Sequence, residues 1–131
     1  MLNKRHLLAG LALTFALAAG APLGAMDRKP FDAKAFEAAQ TAGQPVLVEV
    51  SAPWCPICAK QKPILANLAT KPKFKDLAHF DIDFDSQKDL LRKFNVRMQS
   101  TLIVFKGRQE VGRSTGDTNA ASIERLLDKS L

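Results

Sequence analysis

The stretch Val46-Leu47-Val48-Glu49-Val50-Ser51-Ala52-Pro53-Trp54-Cys55-Pro56-Ile57-Cys58 decides how this chain is to be read. Its first six residues are β-branched or apolar apart from Glu49 and Ser51, the composition of a strand buried on both faces of a sheet. The residues after it, Cys58 to Thr70, place Ile64, Leu65, Leu68 and Ala69 at helical spacing, with Pro63 inside the pattern. Cys55 and Cys58 therefore sit on a strand-to-helix turn. They are the only two cysteines of 131 residues. At a helix start the first of them lies near unpaired backbone N–H groups and the positive end of the helix dipole, both of which favour a thiolate.

A C-x-x-C pair is also used by zinc sites and by inert bridges. A bridge spanning a two-residue gap constrains the unfolded chain little, so a purely structural staple is the weaker reading. His79 is the only histidine outside the first 25 residues, and one molecule cannot build a Cys-Cys-His-His zinc site. Reversible exchange is the reading that remains: Cys55 attacks a substrate disulfide and Cys58 resolves the mixed disulfide that forms.

Working outward, Asp32 can cap a helix through Phe36 and Ala39 to about Thr41, which Gly43 and Pro45 end. Ala78 to Asp83 reads as a second strand, Ser86 to Phe94 as a helix with Leu90, Leu91 and Phe94 inward, and Thr101 to Phe105 as a third strand. Lys106-Gly107-Arg108-Gln109 turns into a fourth strand over Glu110 to Thr115. A last helix starts near Thr118 or Asn119, with Ile123, Leu126, Leu127 and Leu131 as its buried stripe. The order α, β, α, β, α, β, β, α predicts an α/β fold with a central mixed four-stranded sheet covered by helices on both faces.

These features resemble the thioredoxin family. The strand, the Ala-x-Trp-Cys-x-x-Cys turn at Ala52 to Cys58, the helix proline at Pro63, Phe80-Asp81-Ile82-Asp83 and Thr101-Leu102-Ile103-Val104-Phe105-Lys106-Gly107 carry the resemblance, over roughly Phe31 to Leu131. It implies a thioredoxin-like fold and thiol–disulfide oxidoreductase activity on protein thiols and disulfides, with no organic cofactor or metal. Cys55, Cys58 and Glu49 become the catalytic candidates, and Trp54, Pro56, Ile57, Gln99, Ser100 and Thr101 the substrate-binding ones. Glu49 stands where the family carries an acidic residue beneath the cysteines. Burial would raise its pKa and fit it to take a proton from Cys58, whereas an edge glutamate would reach water. His79 is expected to be a partly exposed strand residue rather than a partner that tunes Glu49. Ile57 replaces the histidine of strong oxidants in this family, so the slightly preferred direction is reduction of substrate disulfides, with electrons from a membrane donor; oxidation and isomerisation are the alternatives.

Ser100 stands where the family has a cis-proline. A cis bond costs roughly 2.5–4 kcal/mol before any other residue, against about 0.5–1 before proline, so a trans bond is open here. Either the Ser100 hydroxyl and N–H face the sulfurs, or the residue turns to solvent. Two rival functions keep the fold: a binding module that holds a partner or a soft metal ion through the two cysteines, and a domain whose disulfide is permanent.

The first 25 residues read as a signal peptide. Lys4-Arg5-His6 precedes the apolar stretch Leu7 to Ala19, and small residues follow to Ala25. Cleavage is expected after about residue 20 or 25, leaving residues 26–131 as one thioredoxin-like domain in the periplasm; an uncleaved membrane anchor is the alternative. Losing Lys4 and Arg5 lowers the net charge from +6 to +4. That mild excess, with Lys71, Lys73 and Lys75 on a solvated connection, calls for no nucleic-acid partner, and the domain is expected to be a monomer.

Overall fold

A computed structural model describes residues 27–131; the expected signal peptide and cleavage site lie outside the described residues. In chain order the elements are β1 (Arg28–Pro30), α1 (Ala33–Thr41), β2 (Pro45–Ser51), α2 (Pro56–Ala69), a 3-10 turn (Pro72–Phe74), β3 (Ala78–Asp83), α3 (Lys88–Lys93), β4 (Thr101–Lys106), β5 (Gln109–Thr115) and α4 (Ala120–Asp128). The expected elements are all present, and there is one more. The sheet has five strands in the order β1-β3-β2-β4-β5, with β1 parallel to β3, β3 parallel to β2, and β4 and β5 antiparallel. The fifth strand, β1, is three exposed residues ending in proline, too short and too polar to show an alternating pattern.

Local chemistry explains the boundaries. The Asp32 carboxylate accepts from the Ala35 N–H at 2.7 Å and starts α1, and the Asn119 side chain does the same for α4 through Ser122 N–H at 2.9 Å. Pro56 occupies the first turn of α2, where its missing N–H costs nothing. Helix α3 begins at Lys88 rather than Ser86, because the Asp83 carboxylate holds the Asp85 and Ser86 N–H groups in a turn. Gly107, at φ +56, takes the first central position of the two-residue turn between β4 and β5.

Alternation along the sheet splits the core in two. Val46, Val48, Val50, Phe80, Ile82, Ile103 and Phe105 face α1 and α3, where Phe36, Leu91 and Phe94 close over them. Leu47, Leu102 and Val104 face α2 and α4, against Leu65, Leu68, Ile123, Leu126 and Leu127. Gly112 lets α4 approach β5, since a Cβ there would lie 2.9 Å from Leu126. Two stripe residues differ from expectation: Leu90 is half-buried, and Leu131, beyond the end of α4, is exposed.

Candidate active site

The turn from β2 into α2 brings the cysteines together as a disulfide, with Cα atoms 5.3 Å apart. Cys55 is the N-cap of α2, and its sulfur accepts the Cys58 N–H at 3.1 Å. The same N–H would stabilise a Cys55 thiolate once the bond is reduced. Cys55 is not exposed in this oxidised state: it is 2% accessible, packed with Ala52, Cys58 and Phe84. The helix-start position alone would leave Cys55 near solvent, but the flanking residues, not the sulfur, take the solvent face.

Trp54 is 56% exposed, and Pro56 and Ile57 are exposed beside it. The indole is held at its edge, where Nε1–H donates to Asp85 Oδ2 at 2.8 Å and the ring meets Phe84 edge-on. Met98, 54% exposed, was not anticipated and lies in the loop before Gln99 and Ser100. Its signal in the sequence was an apolar side chain between Arg97 and Gln99, outside any periodic pattern.

Among the described residues every peptide bond is trans, including Gln99–Ser100. Ser100 instead adopts φ +60, a left-handed conformation that is uncommon for a non-glycine residue. Neither expected role for its polar groups is met. The residue is buried, its N–H donates to Val50 O at 2.8 Å, and its hydroxyl turns back on the Gln99 carbonyl. Proline could supply neither that N–H nor that φ. Thr101 is buried too; its hydroxyl donates to Met98 O at 2.8 Å and pairs with Thr115 Oγ1 at 3.0 Å, so it shapes the loop from within. Gln61, on α2 one turn after Cys58, completes the arrangement. Fully buried, it donates through Nε2 to Ser100 O at 3.2 Å and to Asp117 O at 3.0 Å. Sequence reasoning missed it, although a glutamine at an inward helical position between Cys58 and Leu65 was its signal.

On the other flank Glu49 is fully buried and faces α2. Its Oε2 accepts from Arg28 Nε at 2.9 Å and pairs with His79 Nε2 at 2.8 Å, while Oε1 has no hydrogen-bond partner among the described residues. Burial pushes the carboxyl up, but the hydrogen bonds and charges of His79 and Arg28 outweigh it, and the net shift is downward from the ordinary value. The expected raised pKa is thus reversed. His79 is likewise buried rather than partly exposed, because β3 sits between β1 and β2 in the sheet. Lys71 and Lys73, read as solvated, pair with Glu124 on α4 at 2.8 Å each, and their hydrogen bonds draw that carboxyl down to about 2.

The thioredoxin family profile matches residues 28–129. A thioredoxin of Aspergillus fumigatus is 35% identical over 97 residues, covering 73% of this chain and 87% of that protein. A thioredoxin of Mycobacterium tuberculosis is 36% identical over 87 residues, 66% of this chain and 74% of that one. Among solved structures, Trxlp from Edwardsiella tarda superposes with a TM-score of 0.75 at 42% identity, covering 77% of this chain and 98% of its own. Fold and sulfur pair together define a thioredoxin-fold thiol–disulfide oxidoreductase. The chain belongs to the thioredoxin family.

Proposed function

We propose that this is an exported reductase of protein disulfides, with Cys55 as nucleophile, Cys58 as resolving thiol and Glu49 as the acceptor of the Cys58 proton. In the reduced protein the Cys55 thiolate attacks a substrate disulfide. A Cys55–substrate disulfide forms, and the first substrate sulfur leaves as a thiolate that takes a proton from water. Cys58 then gives its proton to Glu49 and attacks the Cys55 sulfur, closing the Cys55–Cys58 bond and expelling the second substrate thiolate. Two electrons pass to the substrate. A dithiol donor, which we place in the membrane, must return them.

The observation that carries the reading is the Cys58 N–H on the Cys55 sulfur at the head of α2, which marks Cys55 as the thiol with the stabilised anion. Trp54, Pro56, Ile57, Met98 and Gln99 supply the docking surface around it, and Ser100 and Thr101 hold its loop. The absence of a histidine between the cysteines supports reduction over oxidation, and the basic and apolar leader supports a periplasmic location. Among the described residues no helix is long and apolar enough to cross a membrane, and the domain acts as a monomer in this reading.

Cys58→Ser tests it. That variant should accumulate covalent mixed disulfides with exported proteins through Cys55, and Cys55→Ser should trap almost none; equal trapping by both would reverse the assignment. Redox equilibration with glutathione fixes the direction.

A further inference from the structure

We propose that Arg28, delivered by the edge strand β1, is a positioning residue for the resolving step: it holds Glu49 as an oriented anion, so that the pH dependence of disulfide closure is set from β1. The inference rests on Glu49 as the proton acceptor.

The geometry is that of a clamp. Arg28 Nε donates to Glu49 Oε2 at 2.9 Å, and Nη2 reaches Asp81 Oδ1 at 2.7 Å and Ser51 Oγ at 2.9 Å. Ser51 also donates to Asp81 Oδ1 at 2.8 Å. Glu49 and Asp81 are register partners on adjacent strands, as are Arg28 and His79, so all four side chains share the face toward α2. One guanidinium therefore bridges two neighbouring carboxylates. A lysine ammonium is a point charge and cannot span both in this way.

Anchoring Oε2 leaves Oε1 free. Buried and without a partner, it belongs to the residue that lines a cavity of about 400 Å³ between β2 and α2, which Arg28, Asp27, His79 and Lys62 also border. An unpaired carboxylate oxygen on a side chain that faces α2 offers a lone pair for the Cys58 proton. The titratable and charged groups facing Glu49 are Arg28 and Asp27 from the β1 segment, His79 and Asp81 from β3, and Lys62 from α2; β4 offers Leu102. Among the described residues Arg28 is the one cation bonded to both carboxylates. Without it two like charges face each other across a strand pair, and proton affinity rises. Strand β1 is fixed for this purpose from the opposite face, since Phe31 donates its N–H to Asp81 O at 2.8 Å and packs its ring on Phe36, Phe80 and Phe94.

The test is the pH profile of single-turnover resolution, followed in the full chain by release of thiol from a preformed Cys55 mixed disulfide. Arg28→Met should move the acid limb of the profile upward by about one pH unit or more, a tenfold change in proton affinity. A stronger base takes the Cys58 proton more readily, so Arg28→Met should be slower than wild type on the acid side and equal or faster on the alkaline side. A folded methionine variant that is slowed equally at every pH, or one with an unmoved limb, overturns the proposal. Arg28→Lys, which retains charge, should give an intermediate limb and serves as the decisive variant if the methionine protein does not fold; a wild-type limb in Arg28→Lys and no folded methionine variant also counts against it. Glu49→Gln separates the two readings. If it leaves resolution unchanged, Glu49 is not the acceptor; if it slows resolution while Arg28 variants keep the wild-type limb, Glu49 stands and the role of Arg28 falls.

Discussion

The two faces of the sheet are built to different rules. Toward α1 and α3 the contacts are apolar throughout, with Phe31, Phe36, Phe80, Phe94 and Phe105 meeting ring to ring at centroid distances of 5.3–6.1 Å. Toward α2 and α4 the aliphatic core is interrupted by Glu49, Ser51, Gln61 and His79, all buried. Buried polar groups cost free energy unless bonded, and each of these four has a partner, with Glu49 Oε1 and Gln61 Oε1 left unpaired among the described residues. The contrast teaches where the fold is held and where it is put to use: the apolar face supplies stability, and the polar face carries the buried carboxylate of Glu49 and the Gln61 amide that ties α2 to the loop before β4.

Mutation should separate the faces, and the largest effect belongs to the apolar one. Phe36 touches four other phenylalanines, so Phe36→Ala should destabilise the domain by about 3–5 kcal/mol. The rate of exchange per folded molecule should not change. Urea denaturation alongside a single-turnover assay checks both, and a loss of rate in the folded fraction would show that the faces are coupled.

Glu49→Gln should cost less, about 1.5–3 kcal/mol at neutral pH, the scale of hydrogen bonds to a charged group. Its pH dependence is the sharper test. Glu49 has its folded pKa depressed below its unfolded value, so its contribution is complete above the unfolded pKa of roughly 4.5 and is lost as pH falls through the lower folded value. The stability gap between wild type and Glu49→Gln should therefore be widest at neutral pH and shrink in acid. A gap that is constant with pH would mean that the carboxylate is not held as an anion.

How much of this was legible in the sequence follows the same division. The apolar face is written in local alternation, and Val46 to Ser51, Ala78 to Asp83 and Thr101 to Phe105 were placed within a residue or so of their observed limits. The sulfur turn was legible because strand, cysteines and helix are contiguous. The polar network was not, because its members are 21 to 30 residues apart and pair only through the sheet register. Arg28 looks like one more basic residue beside Lys29 until β1 is seen against β3. Glu49 was located correctly, and its pKa was misjudged because burial was visible in the strand pattern while its two cationic-type neighbours were not.

Gln61 offers a smaller test of the polar face. Gln61→Leu keeps the volume roughly constant but removes the donors to Ser100 O and Asp117 O, at a cost of about 1–2 kcal/mol, because Ser100 O retains the Gly116 N–H at 3.0 Å. With the loop less firmly tied to α2, KM for a protein disulfide should rise more than the rate with a small disulfide falls. Equal changes for large and small substrates would place Gln61 outside substrate positioning.

The smallest effect is expected at Ser100, where two opposing contributions nearly cancel. A left-handed φ of +60 costs a non-glycine residue roughly 1–2 kcal/mol, which glycine does not incur. Glycine in turn loses about 0.5–1 kcal/mol through the greater freedom of the unfolded chain, and it gives up the hydroxyl contact to the Gln99 carbonyl. Ser100→Gly should thus lie within about 1 kcal/mol of wild type. Ser100→Ala loses the same hydroxyl but keeps the backbone strain, so the glycine variant should be the more stable of the two, by several tenths of a kcal/mol to about 1. Equilibrium denaturation of the pair, with equal slopes against denaturant, measures that difference directly. If alanine proves as stable as glycine, Ser100 does not hold a left-handed conformation in solution, and the loop before β4 is shaped by something other than the turn described here.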